Sequence, residues 1–267
     1  MSNHTPTLSA ENKELTRKLE FLHLDFLELF TLHKNMVENE SGILTSLYLE
    51  KLGLLQLELL EKQTEASRLK MKMKLIQAAI NRDEQPNLKA IEHEITTRLE
   101  KYYAQIQAQS EALDEAKKVL SHLIPEEETQ KLKELFRLLC KRLHPDLNPN
   151  LTEEEKDLFI KVKAAYELQR LSELQKILLY LDDSNQEKLL LISSDEKVER
   201  IIHLETQINN LNLKIEQLKQ SFPFNMADLI LDEDKISQKQ EELRNQIKSA
   251  EEYILKHSEI IKIMSDE

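Results

Sequence analysis

The chain has 267 residues, 32% of them charged, with a net charge of −12, two glycines, no tryptophan and one cysteine. Glycine this scarce, beside abundant Leu, Glu, Lys, Gln and Ile, excludes a sheet protein and reads as long helices and coiled coils. The acidic balance disfavours nucleic acid or an anionic membrane as partner, and a lone cysteine excludes an internal disulfide framework and fits a reducing compartment.

Residues 1–9 read as a polar, disordered tail. From Ala10 to Val37, the residues Leu15, Leu19, Leu22, Phe26, Leu29 and Met36 alternate by three and four, which is a heptad seam. The ENESG stretch, residues 38–42, reads as a turn or break. Helix is expected again up to Asn81, on Leu52, Leu55, Leu59, Ala66, Leu69, Met73, Ile76 and Ile80, until Pro86 breaks it. A third helix, Leu88 to Leu120, carries Leu88, Ile91, Ile95, Leu99, Tyr102, Ile106, Leu113, Ala116 and Leu120 inward. The second and third helices have similar lengths and a short connection, so an antiparallel hairpin is expected, within a coiled-coil region spanning 10–121.

The segment 122–182 differs in kind. Its first helix, Glu126 to His144, places Leu132, Leu135, Phe136, Leu139 and Leu143 on one face. Lys133, Arg137 and Lys141 recur every four residues and form a basic row on a neighbouring face. Pro145 stops this helix, because a residue before proline is pushed out of the helical region. Thr152 and Glu155 have capping-box spacing for the next helix, whose apolar face is Phe159, Val162 and Tyr166. The two helices should pack antiparallel, with His144-Pro145-Asp146 at the exposed tip. Helix then runs to Leu181. In 183–267, a loop at 182–185 and a short apolar run at 189–192 precede a helix with the seam Ile201, Leu204, Ile208, Leu211, Ile215, Leu218 and Phe222. A turn at FPFN (222–225) leads to a last helix, Asp234 to Met264, on Ile236, Leu243, Ile247, Ala250, Ile254, Ile261 and Met264. The expectation is a second antiparallel coiled-coil hairpin, giving an elongated all-α protein with a hairpin core between two arms.

Catalytic chemistry has no foothold in this sequence. There is no Gly-rich phosphate loop, H-E-x-x-H, C-x-x-C or nucleophile elbow. Cys140 and His144 could share a helix face, but two ligands do not make a zinc site. The reading is a non-enzyme without cofactor or metal. No basic-then-apolar leader opens the sequence, and the apolar run FLHLDFLELF is short and interrupted by Asp25 and Glu28. A cytoplasmic protein without a membrane span is expected.

The segment from Ile124 to Leu168 resembles the core of a J-domain, the module with which DnaJ-like co-chaperones drive DnaK-type ATP-dependent chaperones. The likeness rests on His144-Pro145-Asp146 followed by Asn148-Pro149, on the basic helix before it, and on Phe159-x-x-Val162-x-x-Ala165-Tyr166, similar to the family's F-x-x-I-x-x-A-Y. Three positions depart from the family pattern. No Y-x-x-L-G-V segment precedes Leu132, Phe136 stands where Tyr is usual, and Leu147 stands where a basic residue is common. The end of the third long helix, residues 116–120, is the expected substitute for the missing first helix.

The resemblance implies a role. Asp146 would pair with an arginine of the DnaK-type chaperone, and His144 and Pro145 would fix the loop. Lys133, Arg137 and Lys141 would steer onto an acidic patch, with Arg142 and Asn148 assisting. The chain would raise its partner's ATP hydrolysis. It lacks the Gly/Phe-rich linker and zinc repeats of larger family members, so it resembles the divergent class with added modules, here coiled-coil arms suited to an unfolded client, a coiled-coil protein or a homodimer. The alternative is a coiled-coil scaffold whose J-like hairpin no longer signals.

Overall fold

The computed structural model describes residues 10–181 and 193–266. The expected tail at 1–9, the loop at 182–185 and the apolar run at 189–192 lie outside the described residues. Within them every regular element is helical, so the protein is all-α. The elements are α1 (Ala10–Asn35), α2 (Ser41–Tyr48), α3 (Leu54–Ile80), α4 (Leu88–Ser121), α5 (Glu126–Leu143), α6 (Glu153–Glu167), α7 (Leu171–Leu181), α8 (Ser194–Gln220), α9 (Ala227–Ile230) and α10 (Glu233–Asp266).

The expected break at 38–42 is absent. Met36–Glu40 and Leu49–Gly53 are π-helical segments joining α1 to α2 and α2 to α3. Each admits one extra residue per turn without ending the helix. Gly42 keeps a right-handed backbone, so it interrupts nothing.

The described residues form two units, one within Met1–Gly42 and Leu123–Phe224, the other within Ile43–His122 and Asn225–Glu267. Both are discontinuous in sequence. The 10–121 region therefore does not hold together as one arm, and 183–267 does not form a hairpin of its own.

In the first unit α8 lies along α1. Lys197 bonds Thr16 at 2.8 Å, Lys18 pairs with Glu205 at 2.8 Å, and Lys214 acts on His33. Partner numbers rise together, so the two helices run parallel. Lys197 is fully buried, its ammonium donating to Asn12 and Thr16. Leu19, Leu22, Phe26 and Leu27 meet Ile201, Leu204, Ile208 and Leu211 in one core with α5, α6 and α7.

In the second unit α3 and α4 form the expected antiparallel pair. Arg68 and Lys72 both hold Glu92, at 3.0 and 2.6 Å, while Gly53 lies against Leu113. Ile91, Ile95 and Leu99 are buried there, but Leu88 and Tyr102 face outward. The third helix is α10, parallel to α3: Lys51 O accepts from Gln240 at 2.8 Å, and Lys62 pairs with Glu251 at 2.7 Å. Thus α8 and α10, expected to pair with each other, pair instead with α1 and α3. A heptad seam requires a partner helix but does not say which one.

Candidate functional site

The hairpin is built from two strongly signalled helices. Glu126, Glu127 and Glu128 occupy the first turn of α5, where the helix dipole favours acids, and Lys141 and Arg142 its last turn. Thr152 caps α6 with a complete capping box: its hydroxyl accepts from Glu155 N, and Glu155 Oε2 accepts from Thr152 N at 2.8 Å. Leu132, Phe136, Leu139 and Leu143 are buried as expected, with Phe159, Val162 and Tyr166 opposite, while Leu135 is only partly covered. Phe136 stacks on Tyr166 with ring centroids 4.0 Å apart. After α6, Gln169 adopts a left-handed backbone (φ 52°) and Arg170 N donates to Ala165 O, closing the helix end and turning the chain into α7.

The other wall of this core is α1. Tyr166 Oη donates to Asn35 Oδ1 at 3.1 Å, and Gln169 donates to Asn39 at 3.0 Å. The adjoining π-helical segment includes Asn39, and both asparagines are buried. The hairpin face expected against 116–120 is instead covered within its own unit by Leu19, Leu22, Phe26 and Leu27 of α1, with α7 and α8 completing the core. Residues 116–120 belong to the second unit.

The loop is not the free tip that the spacing suggested. His144 caps α5 in an extended conformation (φ −70°, ψ 127°), as a residue before proline must. Its amide donates to Cys140 O at 2.9 Å, and its carbonyl accepts from Leu147 N and Asn148 N. Asn148 Nδ2 donates to Lys141 O at 3.0 Å, satisfying a helix-end carbonyl. The His144 ring is only 7% exposed as a residue and stands edge-on to Phe26, Phe30 and Phe159, at centroid distances of 4.9, 4.4 and 5.0 Å. Burial pushes its pKa down to about 4. It accepts from Asp146 N at Nδ1, 3.1 Å away, which puts the proton of the neutral ring on Nε2. The 4.0 Å separation between His144 Nδ1 and Asp146 Oδ2 is therefore not an ion pair at neutral pH.

Pro145 is exposed and Asp146 partly so. Leu147 is buried in the core and plugs the base of the loop. Of the basic row, Arg137 and Lys141 face solvent, and half-buried Lys133 lies 3.9 Å from Glu40. Arg142 and Asn148 are also half-buried. Burial drives the Cys140 thiol well above its ordinary pKa, which suppresses its nucleophilicity.

One neighbour had no sequence signal. Helix α8 flanks the loop, and Pro145, Asp146 and Pro149 face Glu199, Arg200 and His203 across a cleft of about 250 Å³. His203 Nε2 lies 3.3 Å from Asp146 Oδ1. The two residues are 57 positions apart, and nothing in the α8 seam marks His203 from its outer-face neighbours. Of the two rings of α1 that enclose His144, Phe26 was legible only as a seam residue and Phe30 carried no signal.

Among the described residues no cluster of three or more His, Cys, Asp or Glu could hold a metal ion, and no helix is long and apolar enough to cross a membrane. No family model matches the chain, and neither a curated protein nor a solved structure matches it.

Proposed function

We propose that the chain is a J-domain-type co-chaperone that stimulates ATP hydrolysis by a DnaK-type chaperone, with its further helices serving a client or a coiled-coil partner. The observation that carries this reading is the combination on one hairpin of the His144-Pro145-Asp146 turn with the exposed cations Arg137 and Lys141. Asp146 offers a carboxylate for a charge-assisted bond to a partner arginine. Arg137 and Lys141 steer the approach by long-range attraction. His144 works from inside, holding the turn by its ring packing and its acceptor nitrogen, and Pro145 fixes the backbone. Asn148 supports the same turn from its far side. Lys133 and Arg142, both half-buried, would contribute less to steering.

The test is single-turnover ATP hydrolysis by a DnaK-type chaperone with the wild-type chain and with Asp146→Asn. Removing a charge-assisted bond worth roughly 1.5–3 kcal/mol lowers the stimulation at limiting concentration by about tenfold or more. An inactive wild type, in an assay where another J-protein is active, refutes the reading. A second reading, a coiled-coil scaffold with a silent hairpin, draws on the contact that already engages Asp146 inside the chain. It requires Asp146→Asn to change nothing.

A further inference from the structure

Resting on the co-chaperone reading, we propose that α8 is the second wall of the docking cleft and that His203 is a gate on Asp146, competing with the chaperone for that carboxylate. A loop at a free hairpin tip would offer Asp146 to any approaching cation. Here Asp146 Oδ1 is 3.3 Å from His203 Nε2, on the opposite side of a cleft that also holds Pro145, Pro149, Glu199 and Arg200. A partner guanidinium that docks bidentately needs both Asp146 oxygens, so it competes with the imidazole for Oδ1.

The wall and the gate differ in how firmly they are held. Helix α8 is fixed by Ile201, Leu204, Ile208 and Leu211, all buried in the core shared with the hairpin. It therefore stays beside the loop when a partner arrives. The His203 side chain is half exposed, so a turn about its own χ angles frees Asp146 without moving the helix. Arg200 lines the same cleft but is held by Glu196 at 2.7 Å on its own helix, which partly neutralises it. Exposed Glu199 leaves a second carboxylate at the cleft for an incoming cation. The partner group that fits is thus one elongated cation, an arginine side chain, entering between loop and helix and displacing His203 as it binds.

The magnitude is that of an exposed polar contact. A half-exposed pair of this kind shifts an equilibrium by roughly 1.5- to 5-fold, so the gate attenuates docking and does not abolish it. The experiment measures chaperone ATPase stimulation against concentration for the full wild-type chain, His203→Ala and His203→Lys. Alanine is a strong helix former, so His203→Ala should preserve α8, and circular dichroism checks it. Half-saturation is expected to fall by about 1.5- to 5-fold in His203→Ala and to rise in His203→Lys, whose permanent charge holds Asp146 more firmly. A wild-type chain that stimulates while His203→Ala leaves half-saturation unchanged or raises it overturns the gate and leaves the co-chaperone reading standing. If no variant stimulates while another J-protein does, the co-chaperone reading fails and takes the gate with it.

Discussion

Replacing Phe26 by alanine tests the central packing claim, that α1 completes the hairpin core. Phe26 is 2% exposed, stacks 5.8 Å from Phe30 and stands edge-on to His144 at 4.9 Å. Phe-to-Ala changes in cores remove about 3–5 kcal/mol, the spread depending on how far the cavity collapses. A domain typically has only about 5–15 kcal/mol in total, so the unit around the hairpin should lose about a fifth of its stability or more. Two units need not unfold together, and a single melting curve would mix them. Residue-resolved amide exchange on α5 and α6 avoids this, because it reads the opening free energy of the hairpin itself. The same cavity admits water beside His144, so its pKa should climb from about 4 toward the ordinary 6.5. A loss below about 1 kcal/mol on the α5 amides, with His144 still titrating near its buried value, would refute the assignment of α1 to this core.

The two glycines should respond with opposite signs. At Gly42 an added Cβ meets nothing within 4 Å and the backbone is right-handed, so Gly42→Ala should stabilise by roughly 0.5–1 kcal/mol. At Gly53 the same Cβ would collide with Leu113 Cδ2 and lie 3.3 Å from Leu49 Cδ2. Overpacking of about 1–3 kcal/mol then outweighs the helix gain, and thermal melts of the two variants should move apart. Acid should weaken the first unit. Burial lowers both His23 and His144 from 6.5 to about 4. Between those values the unfolded chain binds more protons, so their contribution is intact above pH 6.5 and is lost as pH falls toward 4. At ~1.4 kcal/mol per pH unit, His144 alone accounts for about 3 kcal/mol, read as a falling urea midpoint between pH 7 and 4. A flat midpoint across that range would show both rings open to water.

Local chemistry decided much of this protein by itself. Composition and the 3.6-residue period identify an all-α chain. Pro145 and the Thr152–Glu155 capping box set the hairpin ends, and Asn87 and Ser193 cap α4 and α8. These features need only residues within a turn of one another, so a sequence displays them. The ENESG stretch misled because acidic residues and one right-handed glycine are compatible with a helix that widens into a π-helical segment. Partner choice among helices is another matter. The seams of α1, α3, α8 and α10 share one period, and each could bury itself against any of the others. Only tertiary packing selected the parallel pairs: Lys197 inserts between Asn12 and Thr16, and Gln240 reaches Lys51 O. That selection also decided the site. It closed aromatic rings of α1 over His144 and set His203 of α8 against Asp146, because side chains far apart in sequence meet only once the helices that carry them have been paired.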